Sequence, residues 1–461
     1  MPSIKNIARK FFLPAKHSNI DMLNGSLLDK ILMFAIPLAL SMMLQQLFNS
    51  ADVAVVGRFD SPQAMAAVGS NSQAINLMVN LFVGLSIGAN VVIARYIGTG
   101  HKNKIHEAVH TAISLALISG VILLIWGLSV ARVMLVMMNT PEDVLEPAVL
   151  YFRLYFLGMP FIMLYNFGSA VLRSMGDSNR PLWCLVVGGV VNVILNLILV
   201  IIFKLSVAGV AIATVTSNII SAFMIMRYLF NEDEPFKFSF KNLILKREDV
   251  IDMIKIGLPA GLQGMLFSIS NICIQTAINS LGSYASAGSA AALNFDFIVF
   301  FIVNAFTQAA VTFTSQNFGA RNYERCIKVY RLSMLYGTLL TGLACVICGV
   351  WRTEILSLYT RDPIVLKFGE VRMLHAVAFL WLCNLYEISG GCLRGMGYSV
   401  LPAVFVLTGC CLLRIVWVFT VFKYFNDFAI LMDVYPVSWI VTSIATLIAY
   451  YRIRKRVFRS M

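Results

Sequence analysis

The chain has 461 residues, 59% of them hydrophobic and only 13% charged, with a mean hydropathy of +0.80. A soluble domain carries about 25% charged residues, so the composition excludes a soluble globular protein and points to an integral membrane one. The net charge of +13 would suit a nucleic-acid partner, but its distribution along the chain, traced below, argues against that reading.

Residues 1–28 form a basic arm. Lys5 to His17 is amphipathic and has no long apolar core, so it reads as a helix lying along the inner membrane surface rather than a cleaved signal. Apolar segments then predict spans at about 29–57, 64–94, 107–134, 145–173, 181–203 and 207–230. A polar linker, 231–249, precedes six more, at about 250–280, 287–316, 328–351, 368–393, 401–424 and 432–451, and a basic tail, 452–461, ends the chain. The expected fold is therefore all-α and integral to the membrane: twelve transmembrane helices in two six-helix lobes, 29–230 and 250–451.

Most of the 36 Lys and Arg residues fall in the arm, the even-numbered loops and the tail. The positive-inside rule then places both termini in the cytoplasm, with the protein in the bacterial cytoplasmic membrane. The tail YRIRKRVFR reads as an anchor to anionic lipid, not a nucleic-acid patch. The nine cysteines lie in apolar stretches or a basic loop and imply no disulfide framework.

The first span carries Pro37, Gln45, Gln46, Asn49 and Asp52 in an otherwise apolar run. Proline removes a backbone donor and clashes one turn back, which makes Pro37 the expected hinge. Asp52 lies about 22 Å further along at ~1.5 Å per residue. Polar groups inside a span are costly and face protein or water rather than lipid.

The two halves are repeats. LRSMG at 172–176, followed by Pro181, recurs as LRGMG at 393–397, followed by Pro402. Ala35-Ile-Pro37 recurs as Gly257-Leu-Pro259, and Gly98 as Gly319, at nearly one offset. Six spans per copy give the copies the same topology, the parallel-repeat arrangement of transporters.

Depth along the helices places a second set of polar groups near Asp52. Asn192 and Asn196 lie ~17 and ~22 Å from the inner end of the fifth span and share one face. Thr214 lies ~10 Å from the outer end of the sixth. A carboxylate, two carboxamides and a hydroxyl converge there. Such oxygens suit a hard cation, and the carboxylate can take a proton instead. Interhelical hydrogen bonding is the alternative use of Asn192, Asn196 and Thr214.

The sequence resembles the multidrug and toxic compound extrusion (MATE) transporters over about residues 28–450. The resemblance rests on FNSADVAVVG closing the kinked first span, IGTGHKN after the second, LRSMGDSNRP after the fourth, NVILN in the fifth and GVAIATVTS in the sixth. It implies two six-helix lobes and export of organic compounds driven by Na+ or H+ entry. It also implies a cation site at Asp52, Asn192, Asn196 and Thr214. The family carries a second aspartate where this chain has Asn196, which leaves one formal charge rather than two.

Elsewhere, Gln45, Gln46, Tyr165, Asn166, Gln263 and Asn271 are candidates to line a substrate cavity, each with interhelical bonding as its alternative. Asp296 reads first as the partner of Arg414 and second as a substrate or proton site. Glu387 reads as a paired acid or as an attractor of cationic substrate. His106 and His110 have ligand-like spacing but no acid or cysteine partner. The expected activity is antiport of cationic or amphiphilic organic compounds (drugs, dyes, toxic metabolites) by rocking of the two lobes. No cofactor beyond the coupling ion, no nucleic acid and no obligatory protein partner are implied; lipid and a small organic substrate are. A lipid-linked oligosaccharide flippase of related architecture is the alternative, weakened by the single mid-span cation, Arg414. An embedded enzyme lacks an aspartate-rich motif or a nucleophile–base pair in the spans.

Overall fold

A backbone inside a bilayer has no water to bond, so an apolar run long enough to cross closes its own hydrogen bonds as a helix. The computed structural model describes residues 19–138 and 140–459, and among these it contains helices and connecting loops but no strand. Eleven helices are long and apolar enough to span, and one bent pair makes a twelfth. The first six are α1 (Leu27–Phe59), α2 (Pro62–Thr99), α3 (Lys102–Met137), α4 (Glu142–Leu157 and, after a 48° bend, Met159–Ser174), α5 (Asn179–Ile202) and α6 (Ser206–Phe230). The second six are α7 (Arg247–Ser280), α8 (Ser283–Gly319), α9 (Tyr323–Val350), α10 (Pro363–Gly395), α11 (Val400–Phe425) and α12 (Phe428–Phe458).

Two compact units emerge. Among the described residues, one takes 19–21 and Ile36–Gly261, the other Met22–Ala35 and 262–459. Each cut falls beside a proline within a helix, Pro37 in α1 and Pro259 in α7. In the first unit, the opening turns of α7 are held by backbone approach to α2. A Cβ on Gly84 would stand 2.3 Å from Gly261, and one on Gly88 2.1 Å from the Met253 carbonyl. Tyr96 Oη also donates to Asp249 Oδ1 at 2.9 Å. In the second unit, Arg325 grips the start of α1, donating to the carbonyls of Met22, Asn24 and Gly25 at 2.9–3.0 Å. Phe34 packs edge-on to Phe313 at 5.7 Å.

The repeated LRxMG signature has a physical cause. In α4, Gly176 N–H donates to the Arg173 carbonyl and Asp177 N–H to that of Leu172, both at 3.0 Å. In α10, Gly397 bonds Arg394 and Tyr398 bonds Leu393, both at 2.8 Å. This pair of bonds is a Schellman cap, which needs a left-handed residue at the turn. Glycine supplies it, with φ of +94° at Gly176 and +95° at Gly397. Gly176 has a second constraint, since a Cβ there would stand 2.4 Å from the Ile20 carbonyl.

The helices outrun the apolar segments. α10 begins at Pro363 rather than near 368, which carries Arg372 well into the span. The basic tail continues α12 as helix through Arg459. The linker carries a short 3-10 helical turn, Phe240–Asn242, and is tied back to α3. Ser239 N–H donates to His110 Nε2 at 3.1 Å and His106 Nδ1 meets Glu234 at 3.1 Å, so both histidines have uses within this unit. The amphipathic stretch expected at Lys5 to His17 lies outside the described residues.

Candidate functional site

Two consecutive glycines set up the site. A Cβ on Gly189 would stand 1.8 Å from the Phe48 ring of α1, and one on Gly188 2.2 Å from Ser221 Oγ of α6. Side chains at these positions would push α5 off both neighbours. With glycine there, α5 lies close to α1 and α6, and Asn192 and Asn196 follow one and two turns on. They face Asp52 from α1 and Thr214 from α6.

These four side chains form one hydrogen-bonded cluster. Asn196 Nδ2 donates to Asp52 Oδ1 at 2.5 Å and to Asn192 Oδ1 at 3.2 Å. Thr214 Oγ1 lies 3.0 Å from Asp52 Oδ2 and 2.9 Å from the Val210 carbonyl, so its one proton has two acceptors. Asn192 Nδ2 donates to Thr214 Oγ1 at 3.3 Å. All four residues are buried, Asn196 completely, and Asp52 is 5% exposed. Among the described residues no ion pair involves Asp52. A buried carboxylate without a counter-ion is costly, and only neutral donors offset that cost here.

The donor chemistry fits a hard cation or a proton. Asn196 Oδ1 is buried and has no partner, which leaves one acceptor unused beside the carboxylate. A carboxamide is two-faced. Its N–H face serves an ionised carboxylate; its oxygen face serves a cation or a protonated acid. Tyr151 and Tyr155, one turn apart on α4 with tilted rings whose centroids are 6.0 Å apart, lie within reach of the Asp52 charge. Sequence reasoning missed both. Their i, i+4 spacing on the helix facing α6 was the available signal.

The other candidates lie apart from this cluster. Pro37 sits inside α1, where Ser41 Oγ donates to its carbonyl at 2.8 Å. Gln45 is exposed. Tyr165 Oη donates to the Pro181 carbonyl at 3.1 Å and Asn166 Nδ2 to Ile162 at 2.8 Å, so both side chains are tied to backbone.

In the second unit, Glu387 is paired. Arg394 Nη2 lies 3.6 Å from its Oε2, and Gln263 bridges the two, donating to Glu387 at 3.4 Å and accepting from Arg394 at 3.2 Å. The expected partnership of Asp296 with Arg414 is not formed. Arg372 takes that place through Nε at 2.9 Å and through Nη2, with Nη1 on Ser289 Oγ at 2.7 Å. The early start of α10 delivers Arg372 to that depth. Arg414 instead donates to Ser438 Oγ at 3.1 Å and Asn271 Oδ1 at 3.4 Å. Among the described residues no group of three or more His, Cys, Asp or Glu could hold a metal.

The MatE family profile matches residues 37–198 and 259–420, once in each half of the chain. A probable multidrug resistance protein of Bacillus subtilis, YoeA, is 27% identical over 379 residues, covering 81% of this chain and 82% of its own. A probable multidrug resistance protein of Thermotoga maritima, NorM, is 24% identical, covering 86% of each. Among solved structures, an outward-facing conformation of a multidrug resistance MATE family transporter superposes with a TM-score of 0.89. That match has 21% identity and covers 97% of this chain and 100% of the other. A MATE solved in forms described as bent and straight gives TM-scores of 0.86 and 0.87. With twelve candidate spans among the described residues and a profile matched once in each half, the chain belongs to the MatE family of membrane transporters.

Proposed function

We propose that the protein is a secondary active antiporter of the cell membrane, with both termini cytoplasmic. It exports cationic or amphiphilic organic compounds in exchange for Na+ or H+. The observation that carries this reading is Asp52, buried in a shell of amide and hydroxyl groups with no counter-ion among the described residues. Relatives named for multidrug resistance supply the substrate class.

The residues suggest how coupling works. While Asp52 is ionised, both of its oxygens accept hydrogen bonds, from Asn196 and Thr214. A cation or proton arriving at the carboxylate removes the cost of a buried charge and makes the N–H face of Asn196 the wrong face. Rotation of that amide presents Oδ1, the acceptor left unused. Val210 offers Thr214 a second acceptor, so its hydroxyl can turn away from Asp52. The cluster thus has two self-consistent arrangements, selected by the charge on one atom pair. Its geometry is set by α1, α5 and α6, so switching it shifts the packing of α1 beyond Pro37, the proposed hinge. The two lobes then rock between inward- and outward-open forms.

The test is Asp52→Asn in reconstituted vesicles loaded with a cationic dye, under imposed Na+ or H+ gradients. Loss of gradient-driven efflux with dye binding retained is the expected result. Coupled efflux at the wild-type rate overturns the role given to Asp52.

A further inference from the structure

Among the described residues Arg414 is the largest fully buried side chain, and it forms no ion pair. Asp296, an acid within electrostatic reach of Arg414, gives Oδ2 to Arg372 and makes no hydrogen bond to Arg414. Glu387 is taken by Arg394. Three buried arginines, Arg372, Arg394 and Arg414, are thus accompanied by two ion-paired carboxylates, Asp296 and Glu387, neither of them paired with Arg414. Asp433 does not close the gap, because it is 45% exposed and pairs with His375 at 2.6 Å. Two neutral acceptors, Ser438 Oγ and Asn271 Oδ1, hold Arg414 Nε and Nη1, and Nη2 has no acceptor among the described residues.

The surroundings are built for a guanidinium and one more group. Phe267, Tyr435 and Trp439 place their ring centroids 5.0, 4.7 and 6.0 Å from the Arg414 carbon. Trp439 Nε1 is also buried and also has no acceptor. Two orphaned donors in one aromatic surround, one carrying a full positive charge, leave a deficit of acceptors and of one negative charge. Leaving such donors unmet is costly, and more so for a charged one. The lid over them is light. Asn271, on the long 3.4 Å bond to Nη1, is itself exposed, and Phe267 is only partly buried.

We propose that the second unit carries an anion site centred on Arg414 that takes the carboxylate of an aromatic organic anion. Arg414 Nη2 and Trp439 Nε1 are its donors, and Phe267 and Tyr435 its apolar walls. A single carboxylate supplies both the missing charge and two acceptor oxygens for two donors. The aromatic side chains around Arg414 favour a ligand with a ring of its own. This rests on the reading of the protein as an exporter of organic compounds and extends its substrates from cations to amphiphiles bearing a negative charge.

The experiment is equilibrium binding of radiolabelled benzoate to the purified full chain in detergent, with neutral benzamide and chloride as competitors. The expected result is saturable benzoate binding that benzamide does not displace. Arg414→Gln should weaken it at least tenfold, Arg414→Lys less, and Trp439→Phe several-fold while leaving the aromatic wall in place. Trp439→Phe keeps the test informative if Arg414→Gln does not fold. The proposal is overturned by no saturable binding, by equal displacement with benzamide, or by unchanged affinity in both the Arg414→Gln and Trp439→Phe proteins. Full displacement by equimolar chloride also overturns it, since the site would then hold an inorganic ion. Efflux of a cationic dye from vesicles bearing the same protein separates the two readings. Dye export without benzoate binding ends the anion site alone; benzoate binding without dye export ends the exporter reading alone.

Discussion

The amide of Asn196 reaches Asp52 at 2.5 Å, while its own oxygen, buried beside the carboxylate, touches no donor. Removing the amide leaves Asp52 Oδ1 desolvated and unpaired. Asn196→Ala should therefore lower stability by about 1–3 kcal/mol. In the Asp52→Asn background the same change should cost much less, because a neutral side chain there needs no such donor. A double-mutant cycle on apparent unfolding midpoints measures the coupling. Additive effects would mean that the two side chains do not act as a pair.

Asn196→Asp changes the ion rather than the fold. Two carboxylates one hydrogen bond apart resist joint ionisation, and a cation between them relieves that repulsion better than a single proton does. Efflux driven by a Na+ gradient should rise relative to efflux driven by a proton gradient when both are imposed on matched vesicles. An unchanged ratio removes Asn196 from ion choice.

Gly189→Ala puts a methyl group into the Phe48 ring, 1.8 Å from its nearest carbon. Overpacking of this kind costs about 1–3 kcal/mol, and here the strain falls on the approach of α5 to α1 that brings Asn196 to Asp52. Gradient-driven efflux should fall along with stability. Phe48→Leu added to Gly189→Ala should restore both in part. Gly349→Ala, where a new Cβ meets nothing within 4 Å, is the control and should be silent. Equal effects at the two glycines would sink the packing argument.

Gly176 and Gly100 both adopt left-handed backbone, φ +94° and +72°. Alanine at either pays the conformational penalty of a left-handed L-residue, about 1–2 kcal/mol. Only Gly176 also has a carbonyl, that of Ile20, at 2.4 Å from the added carbon, whereas Gly100 opens on empty space. Gly176→Ala should therefore lower the unfolding midpoint more than Gly100→Ala. Equal losses would leave the approach of Ile20 without energetic weight.

The contrast between the two units shows what can be read from residues alone. The proximity of Asp52, Asn192, Asn196 and Thr214 was legible because span ends fix depth and an i, i+4 pair fixes a face; in an apolar helix few other groups compete for the same level. The fold was legible for the same reason, since apolar runs and a duplicated cap sequence survive as helices and Schellman turns. Arg372 was not legible. It lies one turn into the expected span at 368–393, and so it reads as a residue at the outer helix end; the helix in fact starts earlier, at Pro363, which sets Arg372 deeper. Once Arg372 was misplaced, Arg414 became the only mid-span cation available to Asp296. Nothing in the sequence marks that Phe267, Tyr435 and Trp439, from two separate helices, gather round Arg414 instead.

The true partnership makes the last prediction. Arg372 and Asp296 are 3% and 16% exposed at the side chain, and three nitrogens of the guanidinium are committed to Asp296 and Ser289. Removing one member of a buried pair leaves the other charge uncompensated, at about 3–5 kcal/mol. Replacing both with apolar groups of similar volume is far milder, because the desolvation of both ions disappears with their attraction. Arg372→Met alone should therefore sharply lower the unfolding midpoint of the purified protein, and Arg372→Met with Asp296→Leu should recover most of the loss. The Asp296→Leu single variant is expected to be the worst of the three, since it leaves Arg372 and Arg414 facing the same Tyr435 ring, 5.4 and 4.7 Å away, with no acid between them. If the double variant is no more stable than either single one, the pair is not what holds α8 to α10. If Asp296→Leu is milder than Arg372→Met, the repulsion between the two arginines carries no weight.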